Sequence, residues 1–336
     1  MKKSDDYIKQ SVFNITLNFT RLQNETKELF FKCLDEGRSV EYFSKQLDKI
    51  WSNLDHSFME NDIEEYKQII HNNNMRLFEI AMPKTEKQAK KEDSFFDIIT
   101  AVVVIGYEKK YVKQQQKEYE RSLNSPLYKE NKTDYLSMLV EKKDSEGIVP
   151  YYVKKTGQIR EVPLNVYASM IHNTNLTRAA WNETLNDAKE FGAEKFIIPY
   201  HNFSCPHCIA HQNIIMTFDE VVSMIGEVAI NQQADILHPN CQCLLRPYYP
   251  GLTKKEEFPF PKAELDNIYD IRQKMNSLTL KKERILTDMK IQKGLGSQEE
   301  YDKLNQKRNK INSQIRELKN ELPTEELQKQ VVAINR

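Results

Sequence analysis

The chain has 336 residues, of which 39% are hydrophobic and 29% are charged, so it is long and apolar enough for more than one hydrophobic core. Basic and acidic residues both number 49, and the resulting net charge of +0 excludes an overall field that would draw the protein onto nucleic acid or a membrane surface. Glycine is scarce, with 9 residues, which favours long helices over sheets and turns.

The N-terminal residues 1–6 contain no apolar segment of the kind found in a secretory signal peptide. The apolar run over 95–107 is shorter than the about 20 residues that cross a bilayer, so we expect a buried helix there and no membrane association. A protein made without a secretion signal stays in a reducing compartment, where paired cysteines are more often metal ligands than disulfides.

Residues 1–82 are predicted to form an N-terminal helical region. Apolar side chains recur every three or four positions, as on an amphipathic helix, and Gly37 marks a break. The stripes comprise Ile8, Val12, Ile15, Phe19, Leu22, Leu29 and Cys33 before the break, and Phe43, Leu47, Trp51, Leu54 and Phe58 after it. Cys33 is therefore expected to be a small core residue. Neither Pro nor Gly occurs over 38–82, so no second break is predicted, and His56 and His71 are expected to be solvated.

A polar stretch rich in Lys and Glu, from Pro83 to Asp93, predicts a linker. A helical connector is predicted over 94–148. Its apolar run leads into a charged stretch that ends near Arg121, and Asn124-Ser125-Pro126 is expected to break the helix.

Residues 149–252 are predicted to form a small α+β module. Its predicted elements are a β-hairpin of 149–153 and 159–162, a helix from Pro163 to Phe191 capped by Gly192, a strand from Lys195 to Tyr200, a helix from Thr217 and a strand from Cys243 to Tyr249. His172 lies on the first helix and is expected at the edge of the core.

Residues 262–336 are predicted to form an antiparallel helical hairpin. Tyr301, Leu304, Ile311, Ile315, Leu318 and Leu322 occupy heptad positions typical of a coiled coil, with Arg308 as the exception, and Ile271, Met275, Leu278, Ile285 and Met289 continue the phase upstream. The glycine-rich segment 294–297 supplies the turn. The expected fold class is thus mainly α, with long N-terminal helices, a small α+β zinc-stabilised module and a C-terminal helical hairpin.

Four of the five cysteines lie in one short stretch of the module. Cys205 and Cys208 form a C-P-H-C pair, and Cys241 and Cys243 close the segment H-P-N-C-Q-C. Two close pairs on separate turns suit a tetrahedral Zn²⁺, so we predict a structural zinc held by these four thiolates. His238 can replace either Cys241 or Cys243, because two cysteines separated by one residue ligate in a tighter geometry. His207 and His211 lie in the same segment.

Three other interpretations of the cysteines remain open. A catalytic zinc would need an open coordination position and a general base, and no such motif accompanies the cysteines. The C-P-H-C turn is also similar to that of thioredoxin-superfamily oxidants, which makes a thiol-disulfide oxidoreductase the alternative enzyme. The third interpretation is a zinc-containing module that binds nucleic acid. With no net charge, contacts with DNA are expected to be local and salt-sensitive.

Several motifs follow one another across 163–251. The helix carries Pro163-Leu164-x-x-Tyr167, Thr174-x-x-x-Arg178-Ala179-Ala180-x-Asn182-Glu183 and Ala188-Lys189-Glu190-Phe191-Gly192-Ala193, after which come Cys205-x-x-Cys208, Gln212, His238-Pro239-Asn240-Cys241-x-Cys243 and Arg246-Pro247-Tyr248-x-Pro250-Gly251. In this order they resemble the minor capsid and head morphogenesis proteins of tailed bacteriophages, as does the basic helical tail. Gln242 and Asn213 depart from the family pattern, and neither removes a presumed ligand.

The resemblance implies a structural head protein that is present in few copies in the virion and is usually associated with the portal vertex. The implied partners are the portal protein and the major capsid protein, and contact with packaged double-stranded DNA stays open. The implied role is head assembly, DNA packaging or DNA delivery, with the host cytoplasm as the site of assembly. Nothing after Gly251 resembles an enzyme, so no catalytic activity is expected.

Overall fold

The computed structural model describes residues 2–54, 56–81, 102–142, 147–153, 158–231, 236–238 and 241–334. These residues are mainly helical, as predicted. The helices are α1 (Lys2–Asp35), α2 (Val40–Ser52), α3 (Ser57–Ala81), α4 (Val102–Leu123), α5 (Pro126–Glu130), α6 (Lys132–Lys142), α7 (Leu164–Phe191), α8 (Pro206–Ile209), α9 (Phe218–Asn231), α10 (Lys262–Gly294), α11 (Gln298–Asn320) and α12 (Glu325–Ile334). None of these helices is long and apolar enough to cross a membrane.

The strands form two small antiparallel sheets. They are β1 (Ile148–Val153), β2 (Gln158–Pro163), β3 (Lys195–Ile197), β4 (Ile215–Thr217) and β5 (Arg246–Pro247). β1 pairs with β2 as the predicted hairpin, and β3 lies between β4 and β5. β3 and β5 are shorter than predicted because loops begin close to their ends. After β3, Pro199 has no N–H to donate to a neighbouring strand. The predicted linker over 83–93 and the first part of the apolar run, 95–101, lie outside the described residues.

Helix α7 is the centre of the molecule. Pro163 immediately precedes it, and Gly192 ends it with φ 69° and an N–H bond to the carbonyl of Ala188. Its apolar residues contribute to three hydrophobic clusters, and α1 and α3 both pack along it. A helix that is buried on nearly all sides must satisfy its polar side chains internally, and those side chains connect α7 to its neighbours.

The breaks between the first three helices are only partly as predicted. Gly37 ends α1 with φ 63°, and the next N–H, that of Arg38, bonds to the carbonyl of Cys33 at 2.9 Å. Cys33 is 1% exposed, which confirms its place in the core. The prediction of one continuous helix after Gly37 is wrong, because α2 ends at Ser52 and α3 begins at Ser57. The intervening residues include Asn53, and short polar side chains of this kind compete for backbone hydrogen bonds and favour turns.

Three histidines are more enclosed than the sequence predicted. The Nε2 of His56 lies 2.8 Å from a carboxylate oxygen of Glu108 on α4, and the Nδ1 of His71 lies 2.7 Å from Asp187 on α7. His172 is fully buried rather than at the core edge. Each is placed by a tertiary contact with a distant helix, which helical periodicity does not reveal.

The buried His172 belongs to a polar cluster that joins α1, α3 and α7. Its Nε2 lies 2.7 Å from the Oγ of Ser11 and 3.3 Å from a carboxylate oxygen of Asp62. Ser11 donates its hydroxyl hydrogen to the same carboxylate, and the Tyr7 hydroxyl donates to Glu65 at 2.9 Å. Burial alone would raise the pKa of Asp62, but hydrogen bonds from His172 and Ser11 outweigh it and lower the pKa below 3.8.

We expect this cluster to make the fold sensitive to acid. A carboxyl group whose pKa is lowered by folding stabilises the native state above its unfolded pKa of about 3.9, and that stability is lost as the pH falls through the folded value. Asp62→Asn should therefore cost about 1–3 kcal/mol at neutral pH, and should flatten the loss of stability below about pH 4. Urea unfolding at neutral pH and at a series of acid pH values measures both effects.

Glu64→Gln is the matched control, because Glu64 lies on the same helix with its side chain 72% exposed. Exposed ion pairs contribute little to stability, so this variant should follow the wild-type pH curve. An Asp62→Asn variant that lost stability with acid as steeply as the wild type would contradict the assignment.

The C-terminal hairpin is present as predicted and continues into a further helix. α10 and α11 pack together through Ile285, Met289, Leu304 and Ile311. Gly296, with φ 73°, lies in the turn between them. The hairpin is anchored to the rest of the protein by the buried Lys27 of α1, whose ammonium group bonds to Asp288 of α10 at 2.5 Å.

Candidate metal centre

The first cysteine loop is built around the start of a very short helix. Cys205 caps α8, and its Sγ accepts the backbone N–H of Cys208 at 3.3 Å. Pro206 follows at the first helical position, where its missing N–H costs nothing. Upstream, the Ser204 hydroxyl donates to the carbonyl of His201 at 2.5 Å and accepts from the amide of Gln212 at 2.8 Å. These bonds fix the loop in a shape that presents both thiols to the interior.

The second cysteine loop is held by one face of α7. The Asn173 amide and the Thr177 hydroxyl both donate to the carbonyl of Cys241, at 3.0 and 2.8 Å. The Trp181 indole N–H donates to the carbonyl of Cys243 at 2.8 Å. These three side chains are spaced four residues apart, so they lie in one row on the helix. The row ties the backbone of both cysteines to the most buried helix of the protein.

The two loops bring the five predicted ligands together. The Nε2 of His238 lies 3.1 Å from the Sγ of Cys205 and 3.4 Å from that of Cys208. The Sγ of Cys208 lies 3.6 Å from that of Cys241, and Cys243 completes a second group with these two residues. All four thiols are less than 9% exposed, and the cysteines form no disulfide. Cys208 is shared by both groups of donors and is therefore the centre of the cluster.

The thiols alternate in their tendency to ionise. A hydrogen bond with Cys208, assisted by His238, lowers the pKa of Cys205 to about 4 although burial opposes it. Hydrogen bonds with the other three thiols and burial raise the pKa of Cys208. Hydrogen bonds with Cys208 and Cys243 lower the pKa of Cys241. For Cys243, the bond with Cys208 lowers the pKa, but Cys241 and burial outweigh it and raise the pKa. Each pair thus favours one thiolate, the form that binds metal.

The donor set fits Zn²⁺. Ligand sulfurs about 2.3 Å from a zinc ion lie about 3.8 Å apart at the corners of a tetrahedron. The separations of 3.1, 3.4 and 3.6 Å among Cys205, Cys208, His238 and Cys241 are close to that value. The Sγ of Cys243 also accepts the Gln212 amide at 3.5 Å. The described donors thus form two overlapping groups, Cys205–Cys208–His238 and Cys208–Cys241–Cys243, and in each the ligand atoms lie within 4.8 Å of one another.

One histidine of the site was not predicted from the sequence. The Nε2 of His201 lies 3.5 Å from the Sγ of Cys243, and its Nδ1 faces the carbonyl of Asn202 at 3.2 Å. Its position four residues before Cys205 was a signal that could have been noticed. His207 is exposed on α8, and neither it nor His211 belongs to a group of clustered donors in the described part of the chain.

The first loop also contacts the C-terminal helices. Phe203 precedes the cysteine pair with φ 65°, and it packs in a cluster with Ile268 and Ile271 of α10. The guanidinium of Arg272 stacks on the Phe203 ring at 4.8 Å, and the amide of Asn202 donates to Gln330 of α12 at 3.1 Å. The candidate metal centre is therefore adjacent to the tail helices as well as to α7.

A second group of metal-binding side chains lies between α3 and α7. The ligand atoms of His71, Glu183 and Asp187 lie within 4.8 Å of one another. Burial raises the pKa of Asp187, and hydrogen bonds from Asn74 and His71 only partly offset it. Because the His71 ring and the Asn74 amide already bond to both oxygens of Asp187, we assign this group to helix packing.

A known protein family matches the part of the chain that contains this cluster. Residues 136–335 match the family described as phage minor capsid protein 2. No significant similarity to a curated protein or to a solved structure was found. The matched region is more than half of the chain, and it includes α7, both cysteine loops and the tail hairpin. The chain therefore belongs to the phage minor capsid protein 2 family, whose members are structural proteins of the phage head.

Proposed function

We propose that this head protein docks at the portal vertex through its N-terminal helices and its C-terminal helical tail and acts there in head assembly, DNA packaging or DNA delivery. The observation that supports the proposal is the family match over 136–335, which covers the metal centre and the tail together. The portal protein and the major capsid protein are the proposed partners. The virion is the location that the family implies, and assembly would take place in the host cytoplasm.

The helical regions expose apolar side chains that suit docking. Leu17 of α1 is 48% exposed, Tyr42 of α2 is 41% exposed and Leu286 of α10 is 37% exposed. Single exposed leucines are ordinary on a protein surface, so their role has to be tested by substitution. Deletion of the first 81 residues is a poor test, because α1 and α3 supply cores that they share with α7.

We expect the full-length protein to co-purify with its cognate portal protein, and Leu17→Asp or Leu286→Asp to weaken the association. An aspartate at the centre of an apolar contact has a carboxylate that is buried and unpaired in the complex, which costs several kcal/mol. Leu127→Asp is the control, because Leu127 is 56% exposed on α5, outside the proposed docking regions. Association is measured by affinity co-purification and by native mass spectrometry.

Two outcomes would count against the proposal. If association survived both substitutions, the N-terminal and tail helices would not form the docking surface. If the wild-type protein associated with neither the portal nor the capsid, the portal-vertex role itself would be wrong.

We further propose that the cysteine cluster holds one structural Zn²⁺. Cys205, Cys208, His238 and Cys241 would be the ligands, with Cys243 as the alternative to His238 or Cys241. The ion would neutralise the thiolates and tie the two loops to α7. A thiol-disulfide exchange reaction would need an accessible thiol, and Cys205 and Cys208 are 8% and 2% exposed. This burial favours the structural role over the oxidoreductase alternative.

A further inference from the structure

A cleft of about 500 Å³ lies between the C-terminal half of α3 and the segment that follows the second cysteine loop. Ile70 and Leu77 of α3 form one wall. Leu244, Leu245 and Leu252 form the other. A volume of this size is within the range of sites that take a small molecule or a few side chains of a peptide.

The cleft combines an apolar floor with a basic rim. Ile70 on one wall and Leu244 and Leu245 on the other are buried, and these three side chains are called the floor of the cleft. Among the described residues that line the cleft, Arg76, Arg246 and Lys254 carry positive charge and Glu256 alone carries negative charge. The cleft therefore offers apolar contact in its depth and a positive field at its opening.

A buried donor points to the polar chemistry of the occupant. The side-chain nitrogen of Asn73, which lines the cleft, is buried and has no hydrogen-bond partner among the described residues. An amide NH₂ donates and does not accept, so it suits an oxygen acceptor such as a carboxylate or a carbonyl. Buried donors are nearly always satisfied, and rotation of the Asn73 side chain toward the cleft would let such an oxygen of an occupant supply the missing acceptor.

We propose that the cleft binds an acidic segment of another head protein, with an apolar side chain on the floor and neighbouring carboxylates against Arg76, Arg246 and Lys254. This inference rests on the proposed function, since it names the chemistry of the partner. An apolar anchor in a pocket with charged contacts around it is a common arrangement of interface residues. Duplex DNA suits the cleft less well, because its phosphates would leave the apolar floor uncovered and would meet Glu256.

The backbone of one wall is continuous with the metal centre. Leu244 and Leu245 directly follow Cys243, whose carbonyl is held by Trp181. The wall is thus fixed by the fold before any partner binds, and a pre-formed site loses little entropy on binding. The charged residues of the rim are not metal ligands, so they can be exchanged without altering the cysteine cluster.

The experiment uses overlapping peptides of about 15 residues, long enough for one anchored segment, that tile the cognate portal and major capsid proteins. Their binding to the full-length protein is measured by fluorescence anisotropy. We compare the double variant Arg76→Glu/Lys254→Glu with the control Lys67→Glu/Lys255→Glu, which makes the same change in charge on the same two segments at residues that do not line the cleft. Circular dichroism of both variants verifies that they fold.

The bound peptides are expected to contain an apolar residue flanked by Asp or Glu. Their affinity should fall about tenfold or more in the cleft variant, as when charge pairs at an interface are reversed, and should stay unchanged in the control. Leu252→Asp should weaken the same peptides, because Leu252 is 46% exposed on the cleft wall and its substitution disturbs no core.

Three results would overturn the inference. The first is that no peptide binds, and the second is that peptides bind equally to the cleft variant and to the wild type. The third is that a duplex oligonucleotide competes with the peptides and no longer binds to the cleft variant. The fate of the proposed function is measured separately, by co-purification of full-length proteins. If the cleft variant associates with the head proteins as the wild type does, only the cleft assignment fails. If the wild type associates with none of them, the proposed function fails as well.

Discussion

Removal of zinc is expected to unfold the 149–252 module and to release the tail helices from it. Structural zinc in small sites contributes about 10–16 kcal/mol of apparent binding free energy, which is as large as the whole stability of most domains, about 5–15 kcal/mol. The cysteine loops contain little regular structure besides α8, so we expect the proposed ion to hold them together with their contacts to α7 and α10. Treatment with a strong chelator, followed by circular dichroism and limited proteolysis, measures the loss.

Single substitutions of the proposed ligands test whether Cys241 or Cys243 binds the ion, which the sequence alone could not decide. We expect one zinc per chain in the purified protein, and little or none in Cys205→Ser or Cys241→Ser. Cys243→Ser should retain the ion with His238 as the fourth ligand, because the sulfur of Cys243 already accepts the Gln212 amide. Metal content is measured on protein purified without added metal.

Cys33→Ala is the control for this series. Cys33 is a buried thiol of α1, outside the described groups of clustered donors, so its loss should lower stability without lowering metal content. Zinc-free wild-type protein, together with unchanged stability of Cys205→Ser, would show that the cluster is not a metal site. Retention of zinc in Cys241→Ser but not in Cys243→Ser would exchange the roles of these two residues.

The helices of this protein were predictable because their signals are local. The apolar period of α1 and α2, the Pro163 and Gly192 ends of α7 and the glycine turn of the tail hairpin are each specified by residues within a few positions. The five candidate ligands were predictable for the same reason, since close cysteine pairs are visible in the sequence. The division of the chain at 82, 94, 148, 252 and 262 remains a prediction, and the hydrophobic clusters run across several of these positions.

The features that the sequence did not reveal depend on contacts between distant segments. His56, His71 and His172 look like surface or edge residues along their own helices, and only the approach of α4, α7 or α1 encloses them. The choice between Cys241 and Cys243 depends on angstrom-scale separations that spacing cannot supply. His201 is part of the site because the first loop folds back toward Cys243, so no local motif included it.

The row of donors on α7 has the clearest consequence for stability, and Trp181 is its largest member. The side chain is 0% exposed, and its indole N–H holds the carbonyl of Cys243. Trp181→Ala should lower the free energy of unfolding by about 3–5 kcal/mol, because it leaves a large cavity beside the second cysteine loop. Trp181→Phe keeps most of the volume and leaves that buried carbonyl without its donor, so it should cost about 1–3 kcal/mol. It should also speed the loss of zinc to a chelator, since the ligand loop loses an anchor.

Trp51→Phe is the matched control for Trp181→Phe. Trp51 is also buried, and its indole N–H donates to Thr26 at 3.0 Å, in a core formed by α1 and α2 that contains none of the four clustered cysteines. The same substitution therefore removes the same kind of hydrogen bond, and it should lower stability by a similar amount while leaving zinc release unchanged. The chain has two tryptophans, so Trp51→Phe also leaves Trp181 as the sole indole fluorophore, whose emission should shift to longer wavelength when zinc is removed. If both variants released zinc at the wild-type rate, α7 would support the fold of the module without supporting its metal ligands.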